Sequence, residues 1–126
     1  MSDDVVTIER ANTVLYCAEW AHTVAFYRDT IGLPTTFEND WFVEFRLTGD
    51  AFVSVADASR ASISAVGGQG ITITLQVADV ARVRDLLAER GVTLTPISNR
   101  WGAIVCYCRD PEGHRIEFWS ANPIDC

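Results

Sequence analysis

The sequence repeats its own pattern after about 60 residues, and this duplication constrains the fold more than any other feature. Each copy has an acidic residue, an amphipathic stretch of about 12 residues and a glycine, from Glu19 to Gly32 and again from Asp79 to Gly91. An acidic start and a glycine stop are typical of one helix in each copy. Two copies are too few to stack as a solenoid, so we expect two compact units that share one core.

Strand-like segments surround each predicted helix in the same order, which is strand, helix and then three strands. The predicted helices are Trp20–Ile31 and Val80–Arg90, and the predicted strands are Thr13–Cys17, Thr35–Glu38, Phe42–Leu47, Ala51–Ala56, Ile71–Val77, Leu94–Ser98, Ala103–Arg109 and His114–Ser120. This order indicates an α+β fold of two βαβββ units. We expect one domain over 1–126, with unit one at about 8–57, a flexible linker at 58–69 and unit two at about 70–121.

Alternation along the strands predicts one apolar and one polar sheet face. In Ile71–Val77 every odd residue is aliphatic and every even residue is polar, which is typical of a sheet covered on one side only. We expect the helices on the apolar side. The polar side is predicted to carry aromatic rings, the carboxylates Glu44 and Glu117, and the thiols Cys106 and Cys108. Trp41 and Trp101 begin their strands, where alternation does not decide which face of the sheet their side chains occupy.

Composition and charge exclude several classes of protein. Hydrophobic residues make up 48% of the chain and charged residues 21%, which is enough apolar surface for a core. No apolar run approaches the roughly 20 residues that span a bilayer, and the acidic start Met1–Asp4 is unlike a signal peptide, so we expect a cytoplasmic protein. The net charge of −7 disfavours nucleic acid and anionic membranes as partners.

Nucleophilic and metal chemistry have few candidates in this sequence. The chain has no lysine, which excludes a lysine Schiff base. The cysteines Cys17, Cys106, Cys108 and Cys126 contain no Cys-x-x-Cys pair, and we expect them to be reduced and mostly buried.

Two motifs carry a resemblance to a known family. Ala25–Leu33 reads AFYRDTIGL and is similar to an "FYRDxLG" helix end, and Trp101-Gly102 followed by Asp110–Phe118, DPEGHRIEF, is similar to a "DPxGxxxEF" hairpin. With the duplication, they resemble the vicinal-oxygen-chelate superfamily of glyoxalases, bleomycin-resistance proteins and dioxygenases, over residues 8 to 121. The resemblance implies a curved eight-stranded mixed sheet with the helices on its convex face, and a homodimer.

The metal-binding positions of that family are altered here. Metal-dependent members hold a divalent ion with four side chains, and the resemblance places those positions at Asn12, Ser54, Thr72 and Glu117. Only Glu117 is a conventional ligand for such an ion. His22 and His114 are not expected to reach the polar face. We therefore expect neither a metal nor another cofactor.

These observations favour a binding protein over an enzyme. We expect a metal-free protein of the bleomycin-resistance type that sequesters a small aromatic or cationic compound by stacking and cation–π contacts. The alternatives are a lyase, isomerase or dioxygenase of the same superfamily, dependent on a metal or on Glu117 as a base, and a protein-interaction module. Arg115 is a candidate ion-pair partner of Glu117. The candidate ligand-binding residues are Asn12, Tyr16, Trp41, Phe42, Glu44, Phe52, Ser54, Thr72, Thr74, Trp101, Cys106, Arg115, Glu117 and Trp119.

Overall fold

The computed structural model describes residues 6–121, and these contain eight strands and two α-helices. In chain order they are β1 (Ala11–Cys17), α1 (Trp20–Ala25), β2 (Thr35–Glu38), β3 (Phe42–Thr48), β4 (Ala51–Asp57), β5 (Thr72–Gln76), α2 (Val80–Glu89), β6 (Ser98–Arg100), β7 (Ala103–Arg109) and β8 (Arg115–Ala121). A π-helical segment, Phe26–Ile31, follows α1, and a short 3-10 turn, Ala58–Arg60, follows β4. Within this described range, neither helix is long and apolar enough to cross a membrane.

The chain divides into two compact units, with the boundary between Ser64 and Ala65. Each unit contains one helix and one four-stranded mixed sheet, of order β1-β4-β3-β2 in unit one and β5-β8-β7-β6 in unit two. In both units the first and last strands pair in parallel, and the remaining pairs are antiparallel. The predicted α+β fold of two βαβββ units is therefore confirmed, with its eight strands distributed over two sheets.

The core of unit one lies between its helix and one face of its sheet. The register places Leu15 and Val43 opposite Val55, and all three side chains are buried. Helix α1 packs against β1 and β4. The indole Nε1 of Trp20 donates to the carbonyl of Val55 at 2.9 Å, which fixes the helix on this face.

The first helix changes its hydrogen-bond pattern before it ends. The sequence predicts one regular helix over Trp20–Ile31, but the structure is α-helical only to Ala25 and then π-helical. The amide of Gly32 bonds to the carbonyl of Tyr27, five residues earlier, at 3.2 Å. This spacing is that of a π-helix. Gly32 closes the segment with a φ of 86°, as its position after the predicted helix indicated.

The core of unit two has the same arrangement. Helix α2 packs against β7 and β8, and its Leu87 is buried, as are Ile116 and Phe118 on β8. The side chain of Asp79 accepts a hydrogen bond from the amide of Arg82 at 3.1 Å and caps the helix. The predicted acidic helix start therefore has a direct structural role.

The strand predicted at Leu94–Ser98 lies later in the chain, at Ser98–Arg100. Thr95 still bonds to β7, because its amide donates to the carbonyl of Tyr107 at 2.9 Å. The next residue, Pro96, has no amide hydrogen and interrupts the ladder. Regular pairing begins at Ser98, so the prediction was wrong in position although a strand is present.

The segment predicted as a flexible linker is partly packed. Gly68 is buried, with a φ of +74°, and a Cβ built on it would overlap the backbone of Gly113 and His114. A Cβ on Gly113 would in turn overlap the carbonyl oxygen of Gly67. The two backbones therefore approach each other more closely than any residue other than glycine permits. The end of the predicted linker is a fixed part of unit two.

We predict that Gly68→Ala lowers the free energy of unfolding more than Gly70→Ala does. Both positions have a left-handed φ, of +74° and +78°, but a Cβ on Gly70 meets nothing within 4 Å. The strain of a left-handed alanine is common to both and costs about 1–2 kcal/mol. The overlap at Gly68 adds about 1–3 kcal/mol, typical of overpacking. Urea denaturation of the two variants measures the difference, and equal losses would show that the close approach relaxes without cost.

Candidate functional site

One face of the unit-one sheet carries most of its polar side chains. We call it the unit-one face, and it lies opposite the side that packs against α1. The register places Glu44 opposite Ser54, and Phe52 opposite both Asn12 and Arg46. This grouping is the one that strand alternation predicted. The strand residues of the unit-one face are Asn12, Val14, Tyr16, Phe42, Glu44, Arg46, Phe52, Ser54 and Ala56.

Glu44 is the centre of a hydrogen-bond network on the unit-one face. Its Oε1 accepts from the Thr36 hydroxyl at 2.7 Å and pairs with the guanidinium of Arg10 at 3.1 Å. Its Oε2 accepts from the Asn12 amide at 3.2 Å, and the Asn12 carbonyl oxygen accepts from the Ser54 hydroxyl at 2.8 Å. The carboxylate of Glu44 is therefore already neutralised by a cation of its own chain, which sequence reasoning missed.

Phe52 lies beneath two guanidinium groups. The Arg10 guanidinium carbon is 3.8 Å from the centre of the Phe52 ring, and that of Arg46 is 5.5 Å away. These are cation–π distances. The ring predicted to receive a cationic ligand is instead in contact with arginines of the chain itself.

Three aromatic rings form a second cluster in unit one. The Phe42 ring contacts those of Trp41 and Phe37, with centroids 5.6 Å and 6.2 Å away. Trp41 precedes β3 and is half-buried, as are Phe42 and Tyr16 on the unit-one face. Phe37, which the sequence analysis did not single out, is 52% exposed. This cluster presents a partly accessible aromatic surface.

The corresponding face of unit two holds five of the other predicted residues, which are Thr72, Thr74, Arg115, Glu117 and Trp119. We call it the unit-two face. Glu117 lies opposite Thr74 on one side and Tyr107 on the other, and Trp119 lies opposite Val105. Trp119 is half-buried beside Glu117, as alternation predicted. The strand residues of the unit-two face are Thr72, Thr74, Gln76, Ser98, Arg100, Ala103, Val105, Tyr107, Arg109, Arg115, Glu117 and Trp119.

Tyr107 is the residue that organises the unit-two face. Its phenol hydrogen-bonds with the carboxylate of Glu117, and this bond raises the pKa of Tyr107 above its ordinary value. The guanidinium carbon of Arg115 lies 4.6 Å from the centre of the Tyr107 ring. The Nε of Arg115 donates to the Thr72 hydroxyl at 3.0 Å. Arg115 thus leans toward the neighbouring strand, and the predicted ion pair between Arg115 and Glu117 is absent among the described residues.

The placement of Cys106 and Cys108 on the polar side was wrong. Cys106 lies opposite Phe118 and Cys108 opposite Ile116, on the apolar side of the sheet, and both thiols are buried. Burial raises the pKa of both, that of Cys108 to about 12. The thiols are small apolar groups that suit the core, so the polar Tyr107 takes the position that had been predicted for them.

Trp101 lies outside the sheet faces altogether. It occupies, with Gly102, the two-residue turn between β6 and β7, and it is fully exposed. Its φ of 54° is left-handed, a conformation that a bulky side chain rarely adopts. The strand begins at Ala103, as predicted, but Trp101 does not begin it, because the turn needs left-handed backbone at both Trp101 and Gly102.

Neither histidine belongs to these faces. His22 is an exposed residue of α1, with its Nδ1 3.1 Å from a carboxylate oxygen of Glu19. His114 is buried in the turn before β8, where its Nδ1 is 2.8 Å from Asp110 Oδ2. Asp110 Oδ1 also accepts the amides of Glu112 and His114. This pair therefore shapes the turn.

The donor atoms of the two faces do not fit the divalent ion that the family's metal-dependent members hold. No group of three or more His, Cys, Asp or Glu side chains suited to a metal occurs within residues 6–121. Asn12 and Ser54 bond to each other, and the Thr72 hydroxyl accepts from Arg115. Amide and hydroxyl oxygens already engaged in this way are poor ligands for such an ion.

Comparison with protein families agrees with this fold. Residues 10–118 match the model of the Glyoxalase/Bleomycin resistance protein/Dioxygenase superfamily. This match covers most of the chain, which therefore belongs to that superfamily, as its two motifs predicted. No curated protein sequence matches the chain.

Several solved structures share the fold of this chain. A glyoxalase/bleomycin resistance protein/dioxygenase from Nocardioides has a TM-score of 0.79 at 17% identity, over 96% of this chain and 88% of the other. A lactoylglutathione lyase from Agrobacterium tumefaciens gives 0.75 at 22% identity, over 94% and 97%. TnmS3, an antibiotic binding protein from Streptomyces sp. CB03234, gives 0.79 at 16% identity, over 94% and 99%.

We predict that Cys17, Cys106 and Cys108 do not react with Ellman's reagent in the folded protein. All three are buried, and the raised pKa values of Cys106 and Cys108 leave almost no thiolate at mildly alkaline pH. The measurement uses Cys126→Ser, which removes the cysteine outside the described residues. Three equivalents are expected to react after unfolding in guanidinium chloride. Rapid reaction of one thiol in the native protein would contradict the burial.

We predict that Tyr107 ionises above the ordinary tyrosine pKa of about 10, and that Glu117→Gln lowers its pKa. The carboxylate stabilises the protonated phenol. Because the folded-state pKa is raised, this contribution to stability is complete below the ordinary pKa and is lost as the pH rises through the raised one. The phenolate absorbance near 295 nm follows the titration.

Tyr107→Phe identifies the Tyr107 step in this titration, and Glu89→Gln, at an exposed helix position, is the matched control. An unchanged Tyr107 pKa in Glu117→Gln would show that the phenol and the carboxylate do not interact.

Proposed function

We propose that this protein is a metal-free small-molecule-binding protein of the glyoxalase/bleomycin-resistance type that sequesters an aromatic compound. The observation that carries the proposal is that polar side chains on the two sheet faces are already hydrogen-bonded to other side chains of the chain. The side chains at the family's metal positions bond to their own neighbours, as Asn12 does to Ser54 and Thr72 does to Arg115. Aromatic rings lie beside these groups. Such a surface suits stacking and hydrogen bonding better than Lewis-acid chemistry.

Accessible rings support an aromatic ligand. Tyr107 and Trp119 are half-buried on the unit-two face, and Trp41 and Phe42 are half-buried in unit one. A half-buried ring is held in place by the protein on one side and keeps part of its surface for a ligand. Offset or edge contacts between aromatic groups contribute about 0.5–1.5 kcal/mol beyond the area they bury.

The structural neighbours include a binding protein of this kind. TnmS3 is an antibiotic binding protein, and its fold resembles that of this chain over almost its whole length. Antibiotic binding is thus one activity that this architecture supports. As part of the proposal we extend it to this chain, as a homodimer in the cytoplasm. The family resemblance supports the dimer.

An acid–base enzyme is the second candidate, and one contact favours it. The hydrogen bond between Glu117 and Tyr107 joins a carboxylate to a phenol on the unit-two face. A carboxylate and a phenol are both able to transfer protons in catalysis. The lactoylglutathione lyase among the neighbours has this fold as well.

We predict that the protein purified without chelators carries less than a stoichiometric amount of metal and that aromatic antibiotics quench its tryptophan fluorescence with or without EDTA. Trp119→Phe is expected to remove much of the quenching, because Trp119 lies on the unit-two face. Trp20→Phe is the matched control, since the Trp20 indole bonds to the carbonyl of Val55 on the helix side of its sheet.

Two results would contradict the proposal of a metal-free binding protein. One equivalent of nickel, zinc, iron or manganese, lost in Glu117→Ala, would replace the proposal with the metal-dependent enzyme. Turnover of a bound compound that Glu117→Gln abolishes without loss of binding would favour the acid–base enzyme.

A further inference from the structure

We infer that the unit-two face binds the anionic group of its ligand, such as a carboxylate on an aromatic ring, through the guanidinium group of Arg115, and that the charge of Arg100 on the same face strengthens this binding. This inference rests on the proposed binding function and specifies the chemical class of the ligand. It replaces the cationic ligand that the sequence analysis gave as one alternative. Three observations carry it, and each concerns charge on this one sheet face.

The first observation is the local balance of charge. The strand residues of the unit-two face include the arginines Arg100, Arg109 and Arg115 but only one carboxylate, Glu117. The chain as a whole has a net charge of −7. This face therefore has an excess of positive charge that opposes the sign of the whole protein. A local field of this kind attracts an anion and disfavours a cation.

The second observation is the lack of ion pairs on this face. Elsewhere in the chain Arg28 pairs with Glu38 and Arg60 with Asp40, both at 3.0 Å. Within residues 6–121, no carboxylate lies in ion-pair distance of Arg100 or Arg115, although the sequence has 17 acidic residues. Within the described range, no acidic group competes with an external anion for the charge of these two residues.

The third observation is that Arg115 is already held in position. Its Nε donates to the Thr72 hydroxyl at 3.0 Å, and its guanidinium lies over the Tyr107 ring. In the described part of the chain, its two terminal nitrogens have no hydrogen-bond partner. A guanidinium fixed through one edge presents its remaining N–H groups in the planar fork that binds a carboxylate.

Arg100 supplies a second cation on the same face. It lies opposite Ala103 at the end of β6. Its positive charge, like that of Arg115, opposes the rise in the pKa of Tyr107. Glu117 keeps its negative charge when the neutral Tyr107 phenol bonds to it, and it offsets only one of the three arginines among the strand residues of this face. An anion bound by the Arg115 guanidinium would lie beside the Tyr107 ring, so an aromatic acid satisfies the charge and the ring together.

The test compares three probes of nearly the same shape, 2-naphthoate, 2-naphthamide and 2-naphthylmethylammonium, by isothermal titration calorimetry. We expect 2-naphthoate to bind about tenfold or more tightly than 2-naphthamide, the effect of one charge-assisted hydrogen bond, and the cation to bind least tightly. The advantage of the anion is expected to fall as the salt concentration rises.

Three variants locate the effect. Arg115→Gln is expected to remove most of the preference for 2-naphthoate over 2-naphthamide, and Arg100→Gln to reduce it. Arg82→Gln, at an exposed position of α2, is the matched control and keeps the preference. Circular dichroism melting checks that each variant is folded, and Arg100→Gln provides an independent test if Arg115→Gln unfolds.

The outcomes separate this inference from the function on which it rests. Equal affinity for the anion and the amide, or tighter binding of the cation, would overturn the anion site and leave the binding function in place. A preference that survives in both Arg115→Gln and Arg100→Gln would also overturn it. If none of the three probes binds at millimolar concentration, both proposals fail for ligands of this class.

Discussion

The parallel pairing of the first and last strands of each unit is the constraint on which the rest depends. β1 pairs with β4, and β5 pairs with β8, in each case with a helix in the connection. A parallel pair needs such a crossover, and the helix takes the apolar side of the sheet. The register of these pairs then decides which polar side chains lie together, as it does for Thr74 and Glu117.

The two carboxylates of the polar faces show how neighbours determine what an acidic side chain does. Glu44 is held by Arg10, Thr36 and Asn12, so its charge is compensated within unit one. Glu117 accepts a bond from a neutral phenol and leaves the nearby arginines without an acidic partner among residues 6–121. The same residue type thus neutralises one surface and leaves the other positively charged. The net charge of the whole chain does not predict the local charge of either face.

Much of the fold could be predicted from the sequence, because duplication, helix stops and alternation depend on local patterns. The extents of β2 and β7 match the predicted ones. The errors occur where local patterns compete. Cys106 and Tyr107 alternate in one strand, and the side of each depends on a register set across the turn before β8. The preference of thiols for the core was the signal that would have chosen correctly.

The site could be predicted less well than the fold, because long side chains reach across strands. Arg115 turns to Thr72 on the neighbouring strand, and Arg10 covers the ring of Phe52. Such contacts depend on rotamers that spacing along one strand does not specify. The sequence predicted that each sheet has a polar face, whereas the contacts between the side chains on it were visible only in the structure.

The close approach of Gly67 and Gly68 to Gly113 determines where the chain can be divided into fragments. Gly67 and Gly68 precede β5 and belong structurally to the turn before β8, through Gly113 and His114. A fragment that begins at residue 70, where composition alone marks the start of unit two, lacks Gly67 and Gly68, whose backbone packs against this turn. Division between Ser64 and Ala65 keeps both glycines.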